Sequence, residues 1–467
     1  MKELTDCSRN ELIDIIRQQD VRIAELEGKI ARLSKTSSTS SKPPSSDVTK
    51  PAKGGKLAKG GRKRKRKIGG QPNHPKHERE PFGCDEIDKS WNYELTCCPD
   101  CGGKVCPASE PDRVIQQVEL IERPIEVVEH RGKACWCDRC GKLHYASIPE
   151  PVKQAGLLGP DLTALVAYMK SVCHASFSTI RKFLRDVVKI TISRGQLAKV
   201  LAKVSDALAG PYEQLRLQLP EEAWLNVDET GHKENGQRFW TWWFRAEMYT
   251  LFHIDPSRSS QVLIDTLGEE FNGVLGCDYF SAYRKYMEDF GIEVQFCLAH
   301  LIRDVKYLTT LPDKVTRNYG ERLLAALKTL FSLIHRRDTM TEKGFGRALE
   351  RARNNLMAVA RRAPKRSEAE NLAKRFRLHG KAYFQFITTP NIEPTNNLAE
   401  QAIRFVVIDR HITQGTRSDK GQRWSERIWT VIATCIQQGR SFYDYLKQAV
   451  HAHFNGEPPP SLVPNGP

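Results

Sequence analysis

Trp224-Leu225-Asn226-Val227-Asp228-Glu229-Thr230 reads as a short buried strand that ends in carboxylates. Trp, Leu and Val favour a packed, pleated surface, and Asn235-Gly236 just beyond is a strong turn signal. Alternation along the strand puts Asn226 and Asp228 on one face, and Leu225, Val227 and Glu229 on the other. Taken alone, such an acid is an ordinary turn-former at the rim of a sheet. The neighbouring segments give it a different reading.

Downstream, residues 238–245, with Phe239, Trp240, Trp242 and Trp243, predict a second strand, and 248–254 a third, together an antiparallel meander. A helix over 260–267 leads to Gly273-Val274-Leu275-Gly276-Cys277-Asp278, another short apolar strand that ends in an acid. A helix over 283–290 precedes a fifth strand at Val294-Gln295-Phe296-Cys297. Three strands followed by alternating helix and strand predict a mixed sheet with helices on both faces, the order of the ribonuclease H-like fold, in which the first and fourth strands are neighbours. Residues 308–377 are charged, rich in Arg and Leu and without strand pattern, so they read as an inserted helical subdomain. Beyond it, Thr395 is the expected cap of a helix that carries Glu400 about one turn in, and the last helices run over 424–453.

Upstream, the chain changes character. The 467 residues are 40% hydrophobic, and 72 Lys and Arg against 56 Asp and Glu leave a formal charge of +16, which points to a polyanionic partner, nucleic acid first. No apolar run is long enough to span a bilayer and no signal-peptide core is present, so the expectation is a cytoplasmic protein, nucleoid-associated when bound to DNA, without a membrane partner. Leu12, Ile16, Gln19, Ile23, Leu26, Ile30 and Leu33 fall at alternating four and three spacings, a coiled-coil seam that predicts a homodimer. Residues 34–50 form a Ser-, Thr- and Pro-rich tether. Residues 50–67 then hold ten Lys or Arg and no acid, ending in Arg62, Lys63, Arg64, Lys65, Arg66 and Lys67, a basic arm that meets phosphates without reading sequence.

Eight of the 13 cysteines lie between Cys84 and Cys140. Cys98-Pro99-Asp100-Cys101-Gly102 and Cys137-Asp138-Arg139-Cys140-Gly141 are two knuckles, each able to aim two thiolates at one Zn²⁺, with a hairpin expected over 114–130 to bring them together. Cys97, Cys106, Cys135 and His144 are rival ligands. Three helices follow, at 159–172, at 178–188, and from a capping box at Ser193 and Gln196 to an end at Gly210-Pro211, in a helix-turn-helix-like order that suits DNA binding or plain packing. The expected organisation is thus a coiled coil at 1–34, a linker with basic arm at 35–80, a zinc-binding domain at 81–150, a helical domain at 151–212, a multidomain α/β core at 220–307 and 391–455 around an insertion at 308–390, and a loose tail at 456–467.

Asp228, Asp278 and Glu400 now share a topological rationale. Two carboxylates on adjacent strand ends repel unless a cation lies between them, and hard oxygen ligands suit Mg²⁺ or Mn²⁺. Two such ions can clamp the attacking and leaving oxygens of a phosphodiester. Glu229 rivals Asp228, and Glu400 can also pair with Arg404 at i+4. The segments around these acids, 226–230, 277–283 and 396–404, together with Ser41-Lys42-Pro43-Pro44, the two knuckles and 415–421, resemble the DDE transposases of the insertion sequence 66 family. The resemblance implies a ribonuclease H-like enzyme that cuts transposon ends and joins them to target DNA. It further implies that Asp228 bridges two metal ions, that Asp278 and Glu400 complete one site each, and that element-encoded accessory proteins are candidate partners. His300, in Cys297-Leu298-Ala299-His300, matches a family block and is either a contact to the scissile phosphate, a support for the acids or a packed core histidine. Asp228-Glu229 replaces the more usual Asp pair, and Phe405 stands where Pro is common. A non-catalytic DNA-binding protein of a mobile element and a structure-selective nuclease on the same fold are the competing functions.

Overall fold

A computed structural model of the protein describes residues 8–33, 81–93, 97, 99–104, 106, 114–118, 124–140 and 142–463. The basic arm with residues 62–67, Cys98, and the side chains of Cys137 and Glu400 lie outside what is described. The chain divides into two units, Ala52–Val128, and Met1–Pro51 with Glu129–Pro467. In the first, the Gln116 side-chain amide accepts from Phe82 N (2.7 Å) and donates to Phe82 O (2.9 Å). Residues 114–118 and 124–130 carry no strand, so the hairpin expected over 114–130 is not formed there. Val114, Ile115 and Val118 are exposed, and among the described residues they are not packed into a core.

The second unit begins with helix α1 (Arg9–Leu33), on which Ile16, Ile23, Leu26 and Ile30 are exposed in the single chain. Strands β1 (Ala134–Cys137) and β2 (Lys142–Tyr145) form an antiparallel hairpin around the second cysteine knuckle, one knuckle later than expected. Helices α2 (Glu150–Ala155), α3 (Pro160–Ser171), α4 (Phe177–Asp186) and α5 (Arg194–Ala207) follow, and the reciprocal Ser193–Gln196 capping box opens α5. Gly210-Pro211 does not end a helix. It lies in the first turn of α6 (Ala209–Gln218), where an imino nitrogen forfeits no intrahelical bond.

The sheet is built from β3 (Trp224–Glu234), β4 (Gln237–Arg245) and β5 (Thr250–Asp255), then, after α7 (Gln261–Leu267), from β6 (Val274–Cys277). Helix α8 (Ser281–Phe290) leads to β7 (Glu293–Phe296). The order is β5-β4-β3-β6-β7, with β3 to β5 antiparallel and β6 and β7 parallel to β3, so the opening stretch is the central strand. Leu225, Val227, Trp242, Phe244, Leu251 and Leu275 are fully buried, at roughly 1.5–3 kcal/mol of transfer free energy for each large side chain. Beyond β7 come α9 (Leu298–Leu308), α10 (Lys314–Ile334), α11 (Glu342–Arg361), α12 (Ser367–His379) and α13 (Gln385–Thr388), the helical stretch read as an insertion. The chain returns through α14 (Asn397–Thr413), α15 (Asp419–Gln437) and α16 (Phe442–Asn455). Helices α3 and α5 pack on this C-terminal group: Tyr168 stacks on Phe442 at 6.0 Å, and Arg427 Nη1 donates to Ser205 O at 2.9 Å.

Helix α15 also covers the free edge of β5. The outward N–H groups of Thr250, Phe252 and Ile254 donate to Thr434 Oγ1 (3.3 Å), Thr430 Oγ1 (3.0 Å) and Glu426 Oε1 (2.7 Å). A two-residue strand step of about 6.7 Å and a four-residue helix step of about 6 Å keep these pairs in phase, which hides an edge that would otherwise recruit another strand.

Candidate active site

Asp228 does not close its strand, because β3 continues six residues further, paired to β4 through Glu234. What stops beside it is β6. The last parallel pair is Asn226 with Gly276, and Asp278 follows directly on β6, so the two aspartates each stand two residues past that pair. The Asn226 side chain lies over Gly276: a Cβ there would sit 2.2 Å from its Oδ1, so any larger residue would displace that side chain. Asp278 Oδ1 accepts from Phe280 N at 2.8 Å, which turns the chain into α8.

Strand register separates the two adjacent acids. Asp228 is opposite Trp243, itself opposite Phe252; Glu229 is opposite Trp242, then His253. Successive rows point to opposite faces. Phe252 meets Trp429 of α15 at 6.2 Å, whereas Trp242 meets Tyr283 of α8 at 6.1 Å. Helix α14 lies on the Asp228 face, since Arg410 Nη1 donates to Thr230 Oγ1 at 2.9 Å, and Thr230 has the same parity as Asp228.

The start of α14 is tied to the same place. Its N-cap is Asn396 rather than Thr395, and the Asn396 side chain reaches away from its own helix to Val227 O (3.3 Å), while Asn396 N donates to Cys297 Sγ (3.2 Å). Cys297 N in turn donates to Cys277 O at 2.8 Å, and Leu298 N to Pro394 O at 2.9 Å. The N-cap of α14, four residues before Glu400, is thereby fixed near the point where β6 leaves β3.

Glu229 is committed elsewhere. Its side chain is 1% exposed, Arg258 Nε donates to Oε1 at 2.7 Å with Nη2 on the same oxygen, and the Tyr283 hydroxyl donates to Oε2. Burial, and then the charge of Asp278, push its carboxyl well above the usual range despite Arg258. Burial raises Asp278 too, against the Phe280 N–H and the guanidinium groups of Arg258 and Arg375. Arg375 comes from α12, where both Nη atoms donate to Asp304 Oδ2 at 2.9 Å and the guanidinium lies 3.9 Å from the Tyr279 ring centroid. His300, on α9, is 7% exposed, and burial, then Arg303 and Arg375, lower its pKa to about 4, so it is neutral near pH 7.

Asp228 and Asp278, hard carboxylates at matching positions past the Asn226–Gly276 pair, are donors of the kind a divalent cation takes, so their chemistry suits such an ion. Among the described residues, no group of three or more His, Cys, Asp or Glu is arranged to hold a metal. The third acid expected, Glu400, is not described beyond its backbone. Of the zinc candidates, Cys101 and Cys140 are exposed, and Cys140 Sγ lies 3.3 Å from His144 Nε2. A cleft of about 580 Å³ lined by Glu221, Glu222, Leu267 and Gly273 opens at the amino ends of β3 and β6, away from the acids.

Arg258 and Arg375 were not singled out from the sequence, and Tyr283 had no role assigned. A signal for Arg258 existed: β5 runs in the direction of β3, so the Asp255-Pro256-Ser257-Arg258 loop emerges at the end of the sheet where the acids stand.

The Transposase IS66 family matches residues 155–423, more than half of the chain, and the chain belongs to that family. It is therefore a transposase, of an enzyme class that binds transposon DNA, cleaves DNA and generally uses divalent metal. A family of unknown function (DUF6444) matches residues 4–80. No curated protein matches the chain. Among the described residues, no helix is long and apolar enough to cross a membrane.

Proposed function

We propose that the chain cleaves DNA at transposon ends and transfers the freed 3′ ends into target DNA, with Asp228, Asp278 and Glu400 as its metal-binding carboxylates on a ribonuclease H-like core. The observation that carries this reading is the convergence of three chain segments: Asp228 and Asp278 flank the end of β6, and Asn396 ties the start of α14 to the backbone carbonyl of Val227, next to Asp228. Mg²⁺ or Mn²⁺, when bound, would neutralise charge on the attacking and leaving oxygens of the phosphodiester. Asp228, beside the end of β6, and Asp278, just past it, would ligate the ion, with Glu400 of α14 assigned as the third ligand. Glu229, engaged by Arg258 and Tyr283, is left out of the ligand set. His300, buried and neutral, contacts the scissile phosphate or supports the acids.

Around this core we assign the exposed seam of α1 to a homodimer, residues 62–67 to sequence-independent phosphate contacts, and, from the sequence pattern alone, Cys98, Cys101, Cys137 and Cys140 to Zn²⁺, with His144 as the rival ligand. The test of the catalytic reading uses labelled donor ends, plasmid target and Mg²⁺. Asp228→Ala is expected to abolish joined products, a loss on the order of 10³-fold for several kcal/mol of lost charge stabilisation. Undiminished joining in that variant would sink the reading. A wild-type protein that cuts without joining would be a nuclease, and one that binds without cutting a DNA-binding protein.

A further inference from the structure

Acids on this rim present a problem to a polyanionic substrate, and the structure places Arg258 beside them with its orientation fixed from three sides. Glu229 takes Nε and Nη2 of Arg258, the Phe280 ring centroid lies 3.9 Å from the guanidinium carbon, and the Trp240 ring centroid lies 4.6 Å from it. Trp240 carries a second guanidinium, the exposed Arg238, also at 4.6 Å, so the cationic line continues outward along β4. The pair is lopsided. Glu229 is 1% exposed, whereas Arg258 is 36% exposed. Lopsided exposure alone does not mark a ligand site, since Arg423 and Glu426 share it at 54% and 0%; Arg258 adds two aromatic faces that hold its plane beside the acids. Such a guanidinium suits an external anion: it is part-exposed, its plane is set by aromatic faces, and its bonds to Glu229 use only Nε and Nη2.

We propose that Arg258 binds a phosphodiester of the DNA substrate beside the acids, with Glu229, Trp240 and Phe280 as the residues that position it and Arg238 as the next contact along the strand. This rests on reading Asp228 and Asp278 as the reacting site. It also gives the second acid of the Asp228-Glu229 pair a function without making it a metal ligand. Arg is needed in place of Lys, because only a planar fork can bond Glu229 on one edge and a phosphate on another.

The experiment uses the full chain and a duplex carrying a transposon end. Binding is followed by fluorescence anisotropy across a salt series with chelator present, and strand transfer is measured separately in Mg²⁺. Arg258→Gln is expected to make the slope of log K against log salt shallower by about one, the signature of one lost phosphate contact, and to lower transfer at least tenfold. Arg258→Lys is expected to recover the slope and not the transfer. A folded Arg258→Gln protein with unchanged slope and transfer would overturn the proposal. If that variant does not fold, Arg258→Lys decides: lowered transfer at unchanged melting temperature supports the proposal, and wild-type transfer overturns it. Asp228→Ala, run in parallel, separates the two readings. Lost transfer with an unchanged slope upholds the acids as the reacting site whatever Arg258 does, and retained transfer removes that reading while the salt slope still judges Arg258.

Discussion

At the β5 edge of the sheet, the carboxylate of Glu426 is fully buried and fully served: Oε1 accepts from Ile254 N at 2.7 Å and faces His253 Nδ1 at 3.0 Å, and Oε2 accepts from Arg423 Nη1 at 3.0 Å. Where β6 leaves β3, Glu229 is buried and Asp278 partly so; burial raises both carboxyls, the charge of Asp278 raises Glu229 further, and Arg258 does not offset it. Both groups sit on the same sheet and use the same residue types. The difference is that the first is balanced within the chain, and the second leaves carboxylates that are costly to charge, a cost that a bound cation or a proton would relieve.

Three changes would sharpen or break this contrast. Glu426→Ala strips three donors of their acceptor and leaves the His253 and Arg423 charges without it; the expected cost is about 3–5 kcal/mol in chemical denaturation, with strand transfer by the remaining folded protein intact. The pH dependence comes next. Burial works against a charge on His253, but hydrogen bonds to Asp255 and Glu426 outweigh it and lift the imidazole from 6.5 to about 9. A raised folded-state pKa stabilises the protonated form, so this contribution is complete below about pH 6.5 and is lost as pH climbs towards 9. Melting temperatures across that window should fall in the wild type and fall less in His253→Gln. The smallest effect is Thr430→Val, which leaves the Phe252 N–H without its acceptor and should cost about 1 kcal/mol in the same denaturation assay.

Much of the sheet was legible because its strands are short apolar runs, and the acids of β3 and β6 were legible because they interrupt those runs. The far half of β3 was not. His232 and Glu234 are polar yet buried, and they belong to the strand because Asn235 N and Thr416 N exchange bonds with Thr416 O and Lys233 O, both at 2.9 Å, a pairing between segments 180 residues apart. That pairing depends on Gly415, at φ +90°, where a Cβ would lie 2.1 Å from Lys233 O. Helix α6 was hidden because Gly210-Pro211 signals an end as readily as a beginning. The clamp around Arg258 draws on β3, β4, α8 and the loop after β5, and no local pattern reports such a convergence. Strand parity separates Asp228 from Glu229 in the sequence, and in the structure it places Glu229 on the α8 side and Asp228 on the α14 side.

The contrast between the two acidic groups is tested most directly by Asp278→Asn, measured twice. The amide keeps Oδ1 as acceptor for the Phe280 N–H and removes only the charge. With a raised carboxyl pKa, ionised Asp278 destabilises the fold at neutral pH, so the variant should unfold at higher denaturant in chelator and yield no strand-transfer product in Mg²⁺. A variant that is less stable than the wild type and still joins donor ends to target would contradict the account.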